Sequence, residues 1–216
     1  MHSALIMIER KPWLGFSPSP LPRVYNATMG AEVIPKLTYE EFRQLPDDGK
    51  RYELIHGEVH WSPAPNMRHQ FVQISFSSSL FDYLQKTRIG IVATAPLDVR
   101  LSDDVAVQPD IIFVCAARAH IIRENYVDGA PDLVVEILSP STARHDRATK
   151  LRIYAEAGVP HVWFLDPLVK TVELLKLQGK KYVVDSVLAG DQVLKSDLFP
   201  GWELPLEKLF DFHGRF

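Results

Sequence analysis

Two short stretches of the chain are continuously apolar except for one acid each. Residues 133–138 read Leu-Val-Val-Glu-Ile-Leu, with Glu136 among them, and Asp110 directly precedes the apolar residues 111–114. Apolar residues that run on without alternation predict a strand covered on both faces of its sheet. An unpaired carboxylate is costly there, so the pattern suggests two acids held in a sheet for a metal ion. The alternative is that both acids lie at strand ends, in water or capped by backbone amides.

The remaining periodicity predicts helices and strands from about residue 34 to the end of the chain. Helices are predicted at 38–45, 66–86, 144–157 and 206–210, and strands at 51–55, 58–61, 89–100, 107–115, 132–138, 161–165, 171–177 and 181–188. Thr38 and Glu41 fit a capping box, and His56–Gly57 marks a hairpin turn. This order predicts an α/β protein (α+β in type) whose mixed central sheet has helices on both sides.

The N-terminal residues differ from the rest of the chain. Four prolines interrupt residues 1–30, and no apolar face emerges there. We therefore expect residues 1–30 to form a poorly ordered tail, with Met29 as an alternative start, and residues 31–216 to form a single domain. A chain of 216 residues is long enough for one such domain with a sizeable core.

Composition narrows the class of protein. A net charge of −3 and a pI near 6.2 lack the basic excess that is typical of nucleic-acid-binding proteins, so any such binding must rest on a local patch. The single cysteine, Cys115, cannot form an internal disulfide, and we interpret it as a packing residue in a cytoplasmic protein. No segment approaches the roughly 20 apolar residues that a membrane span needs, so we expect no membrane association.

The predicted helix after Glu136 supplies a third candidate element. Asp146, Lys150 and Tyr154 follow one another at four-residue spacing and so share one helix face. A short loop joins this helix to the Glu136 strand, so Lys150 is within reach of the carboxylates. The alternative is a surface pair between Asp146 and Lys150, worth only a few tenths of a kcal/mol.

Two acids and a lysine are the groups that metal-assisted phosphodiester hydrolysis requires. Carboxylate oxygens suit a hard cation such as Mg²⁺, and a lysine can orient water or stabilise charge on a phosphate. A zinc site is disfavoured because the chain has no His-Glu-x-x-His pattern. It also has neither a phosphate-binding Gly-x-x-x-x-Gly-Lys loop nor a Gly-x-Ser-x-Gly elbow, which excludes those two routes to hydrolysis.

Several motifs together resemble the Uma-type restriction endonuclease family, within the Asp…(Asp/Glu)-x-Lys superfamily of restriction-endonuclease-like nucleases. The resemblance covers about residues 35 to 190, and its motifs are Tyr-Glu-Leu-Ile-His-Gly-Glu at 52–58, Ser-Pro-Ala-Pro at 62–65 followed by His69, Pro-Asp at 109–110, Val-Glu-Ile-Leu-Ser-Pro-Ser-Thr at 135–142, Asp146 with Lys150 and Tyr154, and Gly-Val-Pro-His-Val-Trp-Phe-Leu-Asp-Pro at 158–167. It implies a restriction-endonuclease-like core, Mg²⁺ dependence with Mn²⁺ as a substitute, and a nucleic-acid substrate, DNA by preference.

The resemblance also implies roles for individual residues. Asp110 matches the first metal-binding acid, Glu136 the second and Glu53 an additional one. The superfamily lysine follows the second acid by two residues, where this chain has Leu138, and the family pattern implies that Lys150 replaces it. Supporting positions are His69, Asp146 and Tyr154, and for His69 a place facing the site and a capping or packing role are both open.

These observations support three hypotheses. The first is a Mg²⁺-dependent endonuclease in which Glu53, Asp110 and Glu136 bind the metal and Lys150 assists. The second is a catalytically inactive nucleic-acid-binding or interaction module, suggested by Leu138. The third, a structural scaffold, leaves the three acids unexplained. Residues 162–165 and the C-terminal hairpin are candidate surfaces for a homodimer.

Overall fold

The structure, a computed structural model, describes residues 36–46, 48–139 and 145–212, which lie in a compact unit running from Lys36 to Phe216. Its helices are α1 (Tyr39–Phe42), α2 (Met67–Thr87), α3 (His145–Ala157) and α4 (Leu206–Phe210), with a 3-10 helix at Ala116–Ile121. Its strands are β1 (Arg51–Ile55), β2 (Glu58–Ser62), β3 (Gly90–Thr94), β4 (Asp98–Ser102), β5 (Val105–Val107), β6 (Ile111–Cys115), β7 (Tyr126–Asp128), β8 (Leu133–Ile137), β9 (His161–Asp166), β10 (Thr171–Gln178), β11 (Lys181–Ala189), β12 (Val193–Leu194) and β13 (Leu204–Pro205). The predicted tail, residues 1–30, lies outside the described residues.

The strands divide between two main sheets and one small pair. The larger sheet has the order β11-β10-β9-β8-β6-β3, the smaller sheet has the order β2-β1-β5-β4-β7, and β12 pairs with β13. In the larger sheet, β8 and β9 are parallel while the other neighbours are antiparallel. The predicted mixed α/β fold is therefore confirmed, although the sequence had indicated one sheet rather than two.

Two strands that the sequence predicts as continuous are each broken at a proline. The 89–100 stretch forms β3 in the larger sheet and β4 in the smaller one, and Pro96 lies between them. The 107–115 stretch divides in the same way into β5 and β6 at Pro109. Proline has no amide hydrogen for the strand ladder, so the pairing ends there. Both segments consequently cross from one sheet to the other, and Asp110 lies at the second crossing.

Helix α2 covers one face of the larger sheet. Asn66 caps it by accepting a hydrogen bond from the backbone amide of His69. Its buried apolar stripe is Val72, Phe76, Leu80 and Leu84, which belongs to the same core as Val135 and Trp163 from the strands. No helix in the described part of the chain is long and apolar enough to cross a membrane.

The segment between β11 and α4 completes this core, and the sequence did not predict its structure. Phe199 is fully buried, with its ring centroid 4.9 Å from that of Phe113 and 6.0 Å from that of Trp163. Trp202 adds a further edge-on contact with Phe199. Cys115 packs against the same core, as the sequence had indicated.

Helix α3 packs on the opposite face of the larger sheet. Ile153 and Tyr154 share a second core with Val134 and Phe164. Arg147 anchors the helix start, since its guanidinium lies 4.3 Å from the Phe164 ring centre and pairs with Glu173 at 2.6 Å. Because side chains alternate along a strand, Glu136 points to the same face as Val134, towards α3.

The first hairpin carries the inner strand of the smaller sheet. His56 and Gly57 both have positive φ, 51° and 81°, as a two-residue type I′ turn requires. A Cβ added to Gly57 would lie 2.6 Å from Cβ of Lys36, so the turn also excludes a side chain there. Both the hairpin and the capping box at Thr38 are confirmed, although α1 ends at Phe42 rather than near Leu45.

Candidate active site

Three acids from two sheets lie together beneath helix α3. Glu53 comes from β1 of the smaller sheet, Glu136 from β8 of the larger sheet, and Asp110 from the crossing between them. They are 3%, 6% and 5% exposed, respectively, so all three are buried. Burial of three carboxylates requires compensating donors and cations, because an uncompensated buried charge is costly.

Lys150 provides the central positive charge. Its Nζ donates to Oε1 and Oε2 of Glu136 at 3.1 and 3.2 Å, and it lies 3.5 Å from Oε1 of Glu53. The side chain is buried, which places it against the acids rather than on the surface of α3. The predicted contribution of the Asp146 side chain lies outside what the structure describes.

Tyr154, one helical turn after Lys150, holds the same acid. Its hydroxyl donates to Oε1 of Glu136 at 2.5 Å, and its side chain is fully buried. Burial, together with the nearby charge of Glu136, raises the pKa of Tyr154 well above its ordinary value. The phenol therefore remains a hydrogen-bond donor throughout the neutral range.

Glu136 has a pKa well above the ordinary value of a glutamate. Burial raises its pKa from 4.5 to about 7, and the charges of Asp110 and Glu53 act in the same direction. Lys150 opposes the shift because its positive charge favours the ionised carboxylate. The three acids are thus close enough to repel one another, which is the situation a bound cation relieves.

Asp110 is held in the ionised form by donors on two sides. His69 Nε2 lies 3.1 Å from Oδ2, and the backbone amide of Ile137 donates to the same oxygen at 2.8 Å. Burial acts to raise the pKa of Asp110, but the hydrogen bond and charge of His69, with the Ile137 amide, hold it below its ordinary value. His69 therefore faces the site, which decides between the two placements that the sequence left open.

Helix α2 contributes a second polar group that the sequence analysis missed. Gln73, one turn after His69, donates from Nε2 to the backbone carbonyl of Asp110 at 2.8 Å. The amide of Ala95, from the other sheet crossing, donates to the same carbonyl at 3.0 Å. The four-residue spacing of His69 and Gln73 on an otherwise apolar helix face was the signal that could have identified them together.

Arg51 and Gln108 complete the surroundings of the acids. Arg51 Nη1 lies 3.7 Å from Oδ1 of Asp110, and its Nη2 donates to the Gln108 carbonyl at 2.7 Å. The Gln108 backbone amide donates to Oε1 of Glu53 at 2.9 Å. A single segment, residues 108–110, therefore positions two of the three acids.

The donor chemistry fits a hard divalent cation, since buried carboxylates from separate strands are the ligands that Mg²⁺ and Mn²⁺ prefer. The distances between these acids, however, do not form a complete metal site. Within residues 36–46, 48–139 and 145–212, no three or more His, Cys, Asp or Glu side chains are grouped so that they could hold a metal ion. The ammonium of Lys150 instead bridges Glu53 and Glu136.

A cavity of about 340 Å³ lies next to His69. His69 is common to the cavity and the site, and the other walls include Met67, Arg68, Leu138 and Leu168. Met67 and Leu168 are largely exposed despite being apolar. Leu138, which stands at the usual lysine position, therefore lines this cavity with an apolar side chain.

Comparisons with known proteins bear on both the family and the fold of the chain. The Uma2 family, described as "Putative restriction endonuclease", matches residues 39–207. The uncharacterized protein slr1290 of Synechocystis sp. is 27% identical over 123 residues, which cover 56% of this chain and 63% of that protein. The crystal structure of a putative nuclease belonging to DUF820 from Anabaena variabilis aligns with a TM-score of 0.67 over 81% of this chain and 97% of that one. At 23% identity, this structural likeness shows the fold alone.

The match over residues 39–207 shows the family: the chain belongs to the Uma2 family of putative restriction endonucleases.

Proposed function

We propose that the protein is a Mg²⁺-dependent endonuclease that hydrolyses phosphodiester bonds in DNA, with Mn²⁺ able to replace Mg²⁺. The observation that carries the proposal is the burial of Glu53, Asp110 and Glu136 around one lysine, in a fold and family of nuclease type. A purely structural role does not explain why three carboxylates that repel one another are buried together.

The three acids and the lysine would have different roles in the reaction, because they carry opposite charges. Glu53, Asp110 and Glu136 would hold the cation, which, when bound, acidifies water and neutralises charge on the phosphate. Lys150 brings a positive charge that orients the attacking water or stabilises the phosphate as its charge grows. This position on α3 replaces the strand position taken by Leu138.

Two further side chains act through the acids. Tyr154 fixes the orientation of Glu136, and His69 fixes that of Asp110. Asp146 is proposed to support Lys150 from the same helix. Such supporting contacts hold metal ligands in their productive orientation.

The proposal is tested by cleavage of plasmid, single-stranded DNA and RNA with Mg²⁺ or Mn²⁺. Wild type is compared with Glu136→Gln, which removes a charge but keeps the shape. Glu203→Gln is the matched control, because Glu203 is an exposed glutamate paired with Lys195. Metal-dependent cleavage that falls at least about 100-fold in Glu136→Gln alone supports the proposal. Unchanged cleavage in Glu136→Gln would refute it, and the preferred substrate decides between DNA and RNA.

A second candidate function is an inactive nucleic-acid-binding or interaction module. It is favoured by Leu138 at the usual lysine position and by the absence, within the described ranges, of a group spaced to hold a metal. Nucleic-acid binding by wild type without cleavage, and without a metal-induced rise in Tm, would select this function.

The homodimer and the cytoplasmic location are also proposals. Residues 162–165 are not available for pairing, because Val162 and Leu165 are fully buried in β9 between β8 and β10, which corrects that part of the prediction. The outer strand β11 is an edge of the larger sheet and exposes Val184 and Val187. We propose β11 as the dimer surface, testable by sedimentation of wild type and a Val184→Lys variant.

A further inference from the structure

The Lys150 ammonium has the surroundings of a small bound cation. Three carboxylate oxygens from two acids lie within 3.5 Å of it, namely both oxygens of Glu136 and Oε1 of Glu53. The side chain reaches them from α3, through the layer between the helix and the larger sheet. A charged group with this oxygen coordination neutralises the same acids that the proposed function assigns to a metal.

We infer that Lys150 is a built-in counter-ion for Glu136 and Glu53 and must leave Glu136 before a divalent ion can bind. This inference rests on the proposed function, since it concerns how the same acids exchange one cation for another. It adds that Lys150 opposes metal binding at equilibrium even though it assists the reaction.

The argument for displacement is electrostatic and geometric. A divalent ion bound to Glu136 and Glu53 would lie within a few ångströms of an ammonium in its present position, and like charges at that distance repel strongly in a buried site. The carboxylate oxygens that Lys150 contacts would also be the ligands of the ion. The two cations therefore compete for the same ligands.

The structure also allows the Lys150 ammonium to move away from Glu136 when a divalent ion binds. Lysine carries its charge on a flexible four-carbon stem, so the ammonium can move while α3 stays in place. Tyr154 donates to Oε1 of Glu136 independently of Lys150 and keeps that carboxylate oriented during the exchange. Arg147 and the core residue Ile153 anchor the same helix.

The test compares Mn²⁺ binding by wild type, Lys150→Met and Lys150→Arg, measured by calorimetry. Lys176→Met is the matched control, because Lys176 pairs with Asp185 at 3.0 Å away from the acids. We expect Lys150→Met to bind Mn²⁺ at least about tenfold more tightly than wild type, although its cleavage activity is lost. Lys150→Arg and Lys176→Met should show no such gain.

A second readout uses the wild-type protein alone, so it does not depend on the variant folding. Reductive methylation followed by mass spectrometry measures the reactivity of Lys150 relative to Lys176. We expect Mg²⁺ or Mn²⁺ to increase the labelling of Lys150, since the ammonium leaves its carboxylate partners. Equal or weaker Mn²⁺ binding by Lys150→Met, or labelling that metal does not raise, would overturn the inference.

Failure of this inference and failure of the proposed function would give different results. If wild type binds Mn²⁺ and cleaves DNA but Lys150→Met binds no more tightly, only the displacement is wrong. If no protein in the series binds metal or cleaves, the proposed function fails, and the inference fails with it.

Discussion

The backbone amide of Ile137 donates a 2.8 Å hydrogen bond to Oδ2 of Asp110. Ile137, which directly follows Glu136 in the chain, therefore positions Asp110. Substituting the Ile137 side chain leaves this donor in place, and the donor favours the ionised form of Asp110. Asp110 and Glu136 consequently titrate in different pH ranges although they are neighbours.

The first prediction concerns stability against pH. The pKa of Glu136 is raised in the folded state from 4.5 to about 7, so the folded protein binds the proton more tightly than the unfolded chain does. Its stabilising contribution is fully present below about pH 4.5 and is lost as pH rises to about 7. Between pH 5 and 8, wild type should therefore lose up to about 3 kcal/mol relative to Glu136→Gln.

The measurement is urea denaturation of both proteins without metal across this pH range. Asp110 does not interfere, because its lowered pKa confines its own effect to pH below about 4, where stability falls as the pH falls. Parallel stability curves for wild type and Glu136→Gln would contradict the prediction.

The second prediction concerns the hydroxyl of Tyr154. Tyr154→Phe removes the donor to Glu136 and leaves a buried carboxylate with one fewer hydrogen bond. We expect a loss of about 1–3 kcal/mol in the free energy of unfolding at pH 8. A double-mutant cycle with Glu136→Gln isolates the contact, and the cost should shrink when Glu136 is no longer charged. An equal cost in both backgrounds would show that the effect is packing.

The third prediction uses the residue at the usual lysine position. The amide of Leu138 bonds to the carbonyl of Leu165, so the extended backbone of β8 continues and residue 138 shares a face with Glu136. Adding Leu138→Lys to Lys150→Met should restore at least about tenfold of the DNA cleavage that Lys150→Met loses. Leu138→Met in the same background is the control, and equal activity of the two double variants would exclude the exchange of lysine positions.

The fourth prediction concerns the aromatic core between the sheet and the C-terminal segment. Phe199 is fully buried, so Phe199→Ala should cost about 3–5 kcal/mol of unfolding free energy. Phe81 is 50% exposed on α2 and provides a matched control, for which we expect less than about 1.5 kcal/mol. Similar losses in the two variants, measured by chemical denaturation, would refute this assignment of the core.

Much of the candidate site was predictable from local sequence. An acid inside an unbroken apolar run identified Glu136 as buried, and four-residue spacing placed Lys150 and Tyr154 on one helix face. Both signals depend on periodicity within one element, which the chain reveals directly. The family resemblance added Glu53, whose place near Lys150 depends on a sheet that local patterns do not describe.

The parts that were missed depend on contacts between distant segments. The sequence predicts residues 89–100 and 107–115 as continuous strands, but the chain passes between the two sheets at Pro96 and Pro109, which follows from which strands pair. Arg51 lies near Asp110 only because β1 pairs with β5. Phe199 is far from Phe113 and Trp163 in sequence, so no periodicity links them.

The first hairpin has a consequence for how such proteins diversify. Its inner strand β1 keeps Glu53 buried in the site, whereas most of its outer strand β2 is exposed. Substitutions in β2 therefore alter this surface of the protein while Glu53 keeps its place, whereas substitutions in β1 disturb the acid itself. One strand separates the part of the hairpin that tolerates variation from the part that carries the chemistry.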